Sequence, residues 1–536
     1  MTSRNLILTG FMGTGKSALG AETARRLGRR FLDMDTEIEA RAGKPIPRIF
    51  AEDGESAFRR MEEALCAELA EQHGLVIATG GGTLIDRRNR ERMASTGTVV
   101  CLTCSVGELL RRLNGEGRSS RPLLATDDPR AEIARLLEAR REAYSCFPWQ
   151  LDTTALSIGE ATARVVELAG VITLTVRSPG GGYAIHIGTG LLSHVGDALR
   201  AADAPTGGRV AVVSDPAVFP LYGAHVEQGL QSAGYRTIAC PLADGEREKT
   251  LSAVRSLYDR FLDAGLDRSD TVLSVGGGLT GDVAGFAAAT YLRGVRFVQV
   301  PTTLLAMVDA SIGGKTGVNL PRGKNLVGAF KQPALVLVDP KVLSSLPDEE
   351  FRCGVAETIK HGIIGDPALF EDLASGPTDQ RAWSSGEGVA RIERAMRVKI
   401  RVVEADPLET GQRAVLNLGH TVAHALEAAS DYSLRHGEAV SIGIAAATRV
   451  AVALGSAEGE LIERVEATLR RWGLPIRCPD TPIGALESAM GVDKKRAPGG
   501  LRWILPRRIG AVVLTDDVPA RLVRATLLEL GARRSV

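Results

Sequence analysis

Apolar and amphipathic stretches alternate along the chain. Residues 5–9 form an apolar run that predicts a buried strand, and a glycine-rich loop and an amphipathic helix follow it. From residue 209 strand-like and helix-like patterns alternate again, which predicts an open α/β arrangement. After Pro347 the pattern is helical to the end of the sequence. The chain is therefore predicted to be an α/β protein whose last region is all-helical.

A domain boundary is predicted near Val171. A helical pattern ends before this residue, and a strand pair with a glycine-rich turn at residues 179–182 follows it. A chain of 536 residues is long enough for about three or four domains. The junction is short, so the two parts are expected to touch or to stay near one another.

Composition predicts which large partners and which cellular compartment suit the chain. The net charge of +1 argues against binding of nucleic acid or of an anionic membrane over a large surface. No apolar run is long enough to span a bilayer. The seven scattered cysteines favour a reducing cytoplasm. Cys101 and Cys104 form a lone CxxC within an apolar run, where core packing is favoured over metal binding.

The segment GFMGTGKS fits the pattern GxxxxGK[ST] between a predicted strand and a predicted helix. In this setting backbone N–H groups surround phosphates. Lys16 is expected to reach the β- and γ-phosphates, and Ser17 to bind Mg²⁺. The predicted nucleotide-binding residues are Gly10, Gly13, Thr14, Gly15, Lys16 and Ser17.

Later segments bear on the phosphoryl acceptor. Asp33 and Asp35 would point the same way on an extended segment, one toward Mg²⁺ and one toward a hydroxyl, although a solvated acidic turn is the alternative. Arg59 suits an acidic acceptor, and glycines 80–82 allow a ligand to approach the backbone. A polar loop with Arg121 is typical of a lid that brings a cation to the transferred phosphoryl group.

These segments, in this order, resemble shikimate kinase over residues 4–168. The resemblance rests on GFMGTGKS, DMD, GESAFRRMEE, TGGG, RPLL and RREAY. It implies ATP-dependent phosphorylation of the shikimate 3-hydroxyl, with Mg²⁺ held at Ser17 and Asp33. Asp35 and Arg121 would be catalytic, and Arg121 would also contact ATP. The implied shikimate contacts are Asp35, Arg59, Gly80, Gly81, Gly82 and Arg140.

A second nucleotide motif lies farther along. Gly276, Gly278 and Gly281 match GxGxxG after a predicted strand and before a predicted helix, which favours a dinucleotide or phosphate site over tight packing alone. The acidic residue expected about twenty positions on is absent. Asp282 follows the motif directly, and Asp215, Glu246 and Lys249 are candidates for further cofactor contacts.

A glycine-rich segment beyond this motif is dense in polar side chains. It carries Asp309, Lys315, Lys324 and Asn325. Exposed loop lysines are usually only solvated, but glycines beside Lys315 would admit a ligand. The segment is typical of a phosphate or carboxylate site.

The last region suggests a metal site. His420 and His424 have the spacing of the HExxH zinc peptidases, but Thr421 replaces the glutamate that serves as base. Glu357 and His436 lie in the same region, and two histidines with a carboxylate are a catalytic metal set. Lys360, Lys399, Arg413, Asn417, Lys494 and Lys495 add candidates for substrate binding.

Residues 172–536 resemble 3-dehydroquinate synthase. The resemblance rests on the segment from GGGLTGDVAGF to GGKTGVN and on ETIK, LNLGHTVAHALE, HGEAV and DKK. It implies Zn²⁺ (or Co²⁺) at Glu357, His420 and His436. It also implies NAD⁺ contacts at Asp215, Glu246, Lys249, Gly276, Gly277, Gly278, Asp282, Thr302, Thr303, Lys315 and Lys324.

The implied substrate is 3-deoxy-arabino-heptulosonate 7-phosphate, which would lose phosphate to give 3-dehydroquinate. Lys315, Lys360, Lys399 and His424 would be catalytic. The implied substrate contacts are Arg293 from a neighbouring subunit, Asp309, Lys315, Asn325, Lys360, Lys399, Arg413, Asn417, His424, Lys494 and Lys495. The sequence departs from the family at Ala423, where glycine is commoner, and at His361, where tyrosine is common.

Together the two resemblances imply a bifunctional enzyme of the shikimate pathway with three domains. These are a P-loop kinase domain with a parallel sheet (1–168), a Rossmann-like NAD-binding α/β domain (172–338) and an all-helical metal-binding domain (339–536). A cytoplasmic homodimer formed through the synthase part is expected. The alternatives are a metal-dependent polyol dehydrogenase or another sugar-phosphate cyclase in the second part, and a non-catalytic nucleotide sensor in the first.

Overall fold

The structure, a computed structural model, describes residues 4–115, 128–179, 181–243, 245–431, 433–496 and 502–534. The chain forms two compact units. The first comprises Met1–Thr173, Gly188–Gly207 and Gln228–Tyr235, and the second Leu174–Ile187, Gly208–Glu227 and Arg236–Val536. The three-domain division remains a prediction.

The first part of the chain is built on a parallel sheet of five strands in the order β2-β3-β1-β4-β5. The strands are β1 (Asn5–Gly10), β2 (Arg30–Asp33), β3 (Leu75–Ala78), β4 (Gly97–Thr103) and β5 (Trp149–Asp152). The helices are α1 (Lys16–Leu27), α2 (Met34–Ala42), α3 (Ile46–Glu52), α4 (Glu55–Leu69), α5 (Arg87–Thr96), α6 (Val106–Gly115), α7 (Pro129–Ala139), α8 (Arg141–Ser145) and α9 (Ile158–Leu168).

The central strand explains where the first loop lies. Every residue of β1 is buried, as expected for a middle strand of a parallel sheet covered on both faces. Its carboxyl end therefore opens at the sheet edge where ligands bind in such folds. Cys101 is buried in β4, as its apolar neighbours predict.

A second sheet of seven strands has the order β6-β7-β14-β11-β10-β8-β9, and a separate two-stranded ribbon pairs β12 with β13. The predicted strand pair around residues 179–182 is β6 and β7. The strands are β6 (Ile172–Val176), β7 (Tyr183–Ile187), β8 (Arg209–Ser214), β9 (Arg236–Pro241), β10 (Thr271–Gly276), β11 (Arg296–Pro301), β12 (Lys315–Leu320), β13 (Gly323–Phe330) and β14 (Leu335–Val338). The helices are α10 (Val195–Ala201), α11 (Ala224–Ser232), α12 (Leu251–Asp263) and α13 (Gly278–Thr290).

The described residues of the last region are mainly helical, as predicted, and they also form a hairpin that the helical pattern did not predict. Its helices are α14 (Asp348–Gly365), α15 (Pro367–Ser375), α16 (Gly386–Ala405), α17 (His420–Ala429), α18 (His436–Ala453), α19 (Glu460–Arg471), α20 (Ile483–Arg496) and α21 (Ala520–Glu529). The hairpin joins β15 (Trp503–Arg508) to antiparallel β16 (Ala511–Thr515). Gly510 lies in the turn between the two strands. Its φ of 84° is left-handed, and such a backbone conformation cannot continue a helix. Among the described helices, none is both long enough and apolar enough to cross a membrane.

Candidate functional site

The loop after β1 folds around a lysine. Lys16 is the first residue of α1, and its Nζ donates to the carbonyl oxygens of Gly10 at 2.9 Å and Phe11 at 3.0 Å. Thr14 is buried, and its Oγ1 donates to the Phe11 carbonyl at 2.7 Å. The predicted nucleotide loop therefore has its ammonium group and helix N-terminus beside the same turn, where phosphate charge is stabilised.

Ser17 and Asp33 form the predicted Mg²⁺ pair. Ser17 Oγ donates to Asp33 Oδ2 at 2.5 Å. Asp33 also caps α2, since its Oδ1 accepts from the backbone N–H of Asp35 at 3.1 Å. The prediction that Asp33 and Asp35 share an extended segment is wrong, because the chain turns into α2 between them. The turn directs Asp33 to Ser17, and Asp35 lies instead beside Gly80.

Glycines 80–82 lie against the predicted acceptor residues. A Cβ added to Gly80 would be 2.8 Å from Asp35 Oδ1, and one on Gly82 would be 2.6 Å from Arg59 Nη1. Arg140, which joins α7 to α8, donates from Nη1 to the Gly81 carbonyl at 3.2 Å. Asp35, Arg59 and Arg140 are thus gathered around one glycine turn, and their role as shikimate contacts stays a prediction. Arg121 lies outside the described residues.

Two neighbours of this turn were missed from the sequence. Glu62 is 1% exposed and pairs with Arg59 Nη1 at 2.7 Å, while it accepts a further hydrogen bond from Thr83. Tyr144 donates from its hydroxyl to the Gly81 carbonyl at 2.7 Å. Glu62 follows Arg59 by three residues on α4, so helical spacing could have identified it. Tyr144 ends the segment RREAY and follows Arg140 by four residues, so its position in that segment could have identified it.

Asp35 is a carboxyl group with altered acidity. Burial and repulsion from Asp33 together raise the pKa of Asp35 to about 6, although Lys16 opposes the shift. A carboxylate with a pKa near neutrality is suited to accept a proton from a hydroxyl group.

The second cluster is the predicted metal set. One ligand atom from each of Glu357, His420 and His436 lies within 4.8 Å of the other two. Glu357 Oε1 is 3.7 Å from His420 Nε2 and 3.4 Å from His436 Nε2. Two imidazoles and one carboxylate suit a divalent metal that keeps an open coordination position, so the donor set fits Zn²⁺ or Co²⁺.

Close backbone contacts bring these three residues together. A Cβ on Gly437 would be 2.2 Å from Cys353 Cα in α14, and one on Gly443 would be 2.0 Å from the Gly419 carbonyl oxygen. Helix α18 can therefore approach both α14 and the start of α17. Glu357 lies one turn after Cys353, His420 follows Gly419, and His436 precedes Gly437.

The two histidines beside Glu357 have pKa values shifted in opposite directions. Burial and the charge of Lys360 together lower the pKa of His420 to about 3, although Glu357 opposes the shift. Burial also opposes protonation of His436, but hydrogen bonds to Glu357 and Glu427 raise its pKa to about 10. Burial would raise the pKa of Glu357, yet Lys360 and His436 together hold it well below its usual range. A metal ion must therefore displace a proton from His436.

His424 lies beside the metal cluster but is not one of its three grouped donors. It is exposed on α17, and its ring centroid is 5.5 Å from that of His420. The spacing of Arg413, Asn417 and His424 would place them on one side of a continuous helix, but the structure does not. Arg413 and Asn417 lie on a separate 3₁₀ segment, Gln412–Asn417, because the left-handed backbone of Gly419 (φ 82°) starts a new helix. Asn417 is exposed, whereas Arg413 is buried and donates to the Pro407 carbonyl at 2.9 Å.

A buried group of opposite charges adjoins Glu357. Lys399 Nζ is 2.8 Å from Asp309 Oδ1, and His361 Nε2 is 3.4 Å from the same oxygen. Burial would raise the pKa of Asp309, but Lys399 and Lys360 hold it well below its ordinary value. Burial lowers the pKa of Lys399, which Asp309 opposes. Asp309, Lys360 and Lys399 are thus brought together as predicted, with His361 as an additional neighbour.

The predicted nucleotide residues meet at the carboxyl ends of three parallel strands. Asp215 follows β8, Gly276 and Gly277 end β10, and Thr302 follows β11 and donates from its backbone to Gly276 at 2.9 Å. Lys249 pairs with Asp282 at 2.6 Å and donates to Asn325 Oδ1 at 2.6 Å. A cofactor in such folds binds at this edge of the sheet.

One predicted substrate residue, Arg293, is not brought into the described cluster. Arg293 is exposed at a left-handed φ of 68° after α13. The side chains of Lys494 and Lys495 lie outside the described residues, so their role remains a prediction. The structure adds Glu409, which pairs with Lys315 at 2.5 Å, and Glu427, which pairs with His436.

Three family models match successive parts of the chain. Residues 12–168 match the family model of shikimate kinase, residues 239–353 that of the 3-dehydroquinate synthase N-terminal region, and residues 354–496 that of its C-terminal region. A 3-dehydroquinate synthase of Synechococcus sp. is 46% identical over 360 residues, which are 66% of this chain and 98% of the relative. That of Nostoc punctiforme is 47% identical over 358 residues, which are 66% of this chain and 98% of the relative.

Two solved structures are similar to about two thirds of the chain. A 2-epi-5-epi-valiolone synthase from Streptomyces hygroscopicus, with NAD⁺ and Zn²⁺ bound, is 31% identical with a TM-score of 0.61, covering 65% of this chain and 96% of its own. A 2-deoxy-scyllo-inosose synthase complexed with carbaglucose-6-phosphate, NAD⁺ and Co²⁺ is 26% identical with a TM-score of 0.61, covering 67% of this chain and 100% of its own.

Proposed function

Because the chain belongs to the 3-dehydroquinate synthase family and carries a shikimate kinase region ahead of it, we propose that one polypeptide catalyses two reactions of the shikimate pathway. One is the ATP-dependent phosphorylation of shikimate to shikimate 3-phosphate. The other converts 3-deoxy-arabino-heptulosonate 7-phosphate to 3-dehydroquinate with loss of phosphate.

The observation that carries the second activity is the convergence of Glu357, His420 and His436 within 4.8 Å beside buried Lys360 and Lys399. These three side chains would hold Zn²⁺ or Co²⁺. The residues at the ends of β8, β10 and β11 would hold NAD⁺. When bound, the two cofactors supply polarisation of a substrate oxygen and reversible acceptance of hydride.

The other residues would orient the substrate and move protons. Lys360, Lys399 and Arg413 offer positive charge for a carboxylate and a phosphate. His424, exposed one turn after His420, would exchange protons with the substrate. Asp309, 2.8 Å from Lys399, opposes the lowering of the Lys399 pKa by burial. Arg293 and the Lys494–Lys495 pair would complete the phosphate site, Arg293 from the second subunit of a homodimer.

The kinase activity is supported by the glycine turn that gathers Asp35, Arg59 and Arg140 next to the nucleotide loop. Ser17 and Asp33 would hold Mg²⁺ on ATP. Asp35 would take the proton of the acceptor hydroxyl, because its pKa of about 6 leaves it charged near neutrality but still basic. Arg59 and Arg140 would bind the shikimate carboxylate. The cytoplasm remains the expected location.

A second candidate for the synthase part is a cyclase for a sugar phosphate without a carboxylate. The 31% identity to a 2-epi-5-epi-valiolone synthase favours it, whereas the higher identity to 3-dehydroquinate synthases and the buried cationic group favour the proposed substrate.

The deciding experiment compares phosphate release from 3-deoxy-arabino-heptulosonate 7-phosphate with release from a seven-carbon sugar phosphate that lacks the carboxylate. The purified full chain is used with NAD⁺ and Zn²⁺. We expect at least a hundredfold preference for the acid, since the analogue offers no carboxylate to the buried cationic side chains. Preference for the neutral sugar would support the cyclase, and net NADH formation from a polyol without phosphate release would support a dehydrogenase.

The sensor alternative for the first part is tested by ADP formation. Shikimate added to the full chain with Mg²⁺ and ATP should produce ADP and shikimate 3-phosphate in equal amounts. ATP binding without ADP formation would make this region a nucleotide sensor.

A further inference from the structure

Glu427 is a buried carboxylate that no predicted role includes. It lies on α17, two turns after His420, and is 5% exposed. Its Oε1 is 3.4 Å from His436 Nδ1 and 3.5 Å from Lys324 Nζ. A buried carboxylate is costly unless it is paired, so these two partners account for its position.

The contact with His436 defines how that ring is held. Nδ1 of the ring faces Glu427 Oε1, and Nε2 faces Glu357 Oε1, with each nitrogen 3.4 Å from its oxygen. The ring is therefore held between two carboxylates on opposite nitrogens. A carboxylate that accepts the Nδ1–H of a histidine fixes the tautomer whose Nε2 lone pair can bind a metal.

The contact with Lys324 leads away from the metal cluster. Lys324 lies on β13, and its Nζ is also 3.7 Å from Glu246 Oε1. Asn319 of β12 donates from Nδ2 to the same glutamate oxygen at 2.8 Å. Asn319 further accepts from the backbone of Asn325, which in turn accepts from Lys249 at 2.6 Å. Polar contacts thus connect Glu427 to the ribbon and to the nucleotide edge.

We propose that Glu427 is a positioning residue of the metal site, which orients His436 through Nδ1 and joins it to the β12–β13 ribbon through Lys324. The inference rests on the proposed function, because it takes Glu357, His420 and His436 as the metal ligands. Glu427 itself does not contact the metal. Its effect is to present His436 in one orientation and one tautomer.

The test measures Zn²⁺ affinity of the purified full chain by competition with a chromogenic chelator. Glu427→Gln keeps an oxygen that can accept a hydrogen bond but removes the charge, and we expect about tenfold weaker Zn²⁺ binding. Glu427→Ala removes the acceptor, and we expect about a hundredfold loss. The visible absorption bands of the Co²⁺-loaded protein should shift in both variants, since the His436 ring is no longer fixed.

Glu466→Gln is the matched control. Glu466 is also a buried glutamate, 3% exposed on α19, and it pairs with Arg449 and Arg470 at 2.7 Å each. This variant should keep the wild-type Zn²⁺ affinity and the wild-type Co²⁺ spectrum. Thermal midpoints of the metal-free proteins identify any variant that is merely unstable, and if Glu427→Ala does not fold, the glutamine variant decides.

The outcomes separate this inference from the proposed function. Zn²⁺ affinity within twofold of wild type in Glu427→Gln, with an unchanged Co²⁺ spectrum, would overturn the role of Glu427 alone. Absence of stoichiometric metal binding by the wild-type chain would instead overturn the metal site itself.

Discussion

Asp33 and Asp35 are separated by one residue, yet they have different surroundings. Asp33 accepts from Ser17 Oγ and caps α2, whereas Asp35 is buried beside Gly80. The sequence predicts that both aspartates are functional but not how they divide the work. That division depends on where α2 begins, which sequence patterns locate poorly.

Asp35 should impose a pH dependence on the kinase reaction. A base acts only when it is deprotonated, so the turnover rate should fall about tenfold per pH unit below about pH 6. Rates of ADP formation at saturating shikimate between pH 5 and pH 8 test this. A rate that is flat across pH 6 would contradict the assignment.

Replacing Asp35 should abolish kinase turnover and raise the free energy of unfolding. Its pKa is raised in the folded protein from 3.8 to about 6, so its charge destabilises the fold increasingly as pH rises from 4 to 6 and fully above that range. Asp35→Asn should abolish turnover and raise the free energy of unfolding at pH 8 by up to about 3 kcal/mol. Chemical denaturation at pH 8 and at pH 4.5 should show a gain that is smaller at the lower pH. A stability loss at pH 8 would contradict this account.

Gly82 should control the position of Arg59. A Cβ at Gly82 would lie 2.6 Å from Arg59 Nη1, so Gly82→Ala must displace the guanidinium group. We expect the KM for shikimate to rise about tenfold, with little change in the KM for ATP. Gly107→Ala is the control, because an added Cβ there meets no atom within 4 Å. Equal effects of the two substitutions on shikimate binding would refute the prediction.

At the scale of elements, helix starts position the metal ligands. His420 and His436 are the first residues of α17 and α18, and Glu357 lies within α14. The sequence predicts the three ligands through the family motifs. It does not predict the break at Gly419, because the spacing of Arg413, Asn417, His420 and His424 fits one continuous helix equally well.

Gly419 should be essential for metal binding. A Cβ there would be 2.8 Å from the backbone nitrogen of Ile444, and φ is 82°. Gly419→Ala should shift α17 against α18 and weaken Zn²⁺ binding at least tenfold. Gly455→Ala is the control: Gly455 has φ of 68° but an added Cβ meets nothing within 4 Å, so only about 1 kcal/mol of backbone strain is expected. Zinc content after dialysis distinguishes the two variants, and equal zinc retention would contradict the close-contact argument.

Partners distant in sequence were the main omission. Glu427 and Glu409 became visible only when α17 and the 409–413 turn were seen beside His436 and Lys315. Acidic residues in amphipathic segments are usually solvated, so Glu409 had no local signal, whereas Glu427 ends the family segment LNLGHTVAHALE and follows His420 by two helical turns. The sequence analysis does not predict the hairpin at 503–515, because this short β-rich segment lies within a region whose overall pattern is helical.

At the scale of the whole molecule, the two candidate sites lie in different compact units and share no described residue. The two proposed reactions are not consecutive, since several steps separate them in the pathway. Direct transfer of a product between the sites is therefore not expected.

A chelator should separate the two activities. With a chelator selective for Zn²⁺ and excess Mg²⁺, phosphate release from the heptulosonate phosphate should stop while ADP formation from shikimate continues. Re-addition of Zn²⁺ should restore the first activity. Parallel loss of both activities would indicate that the kinase reaction also depends on the metal held by Glu357, His420 and His436.

The central claim is that one chain contains two independent active sites. It is tested most directly by measuring both activities in Lys16→Ala and His436→Ala variants of the full chain. Lys16→Ala should reduce shikimate-dependent ADP formation by at least about a thousandfold and leave phosphate release from the heptulosonate phosphate within twofold of wild type. His436→Ala should show the reverse pattern, with loss of bound Zn²⁺. Loss of both activities in either folded variant would contradict the account.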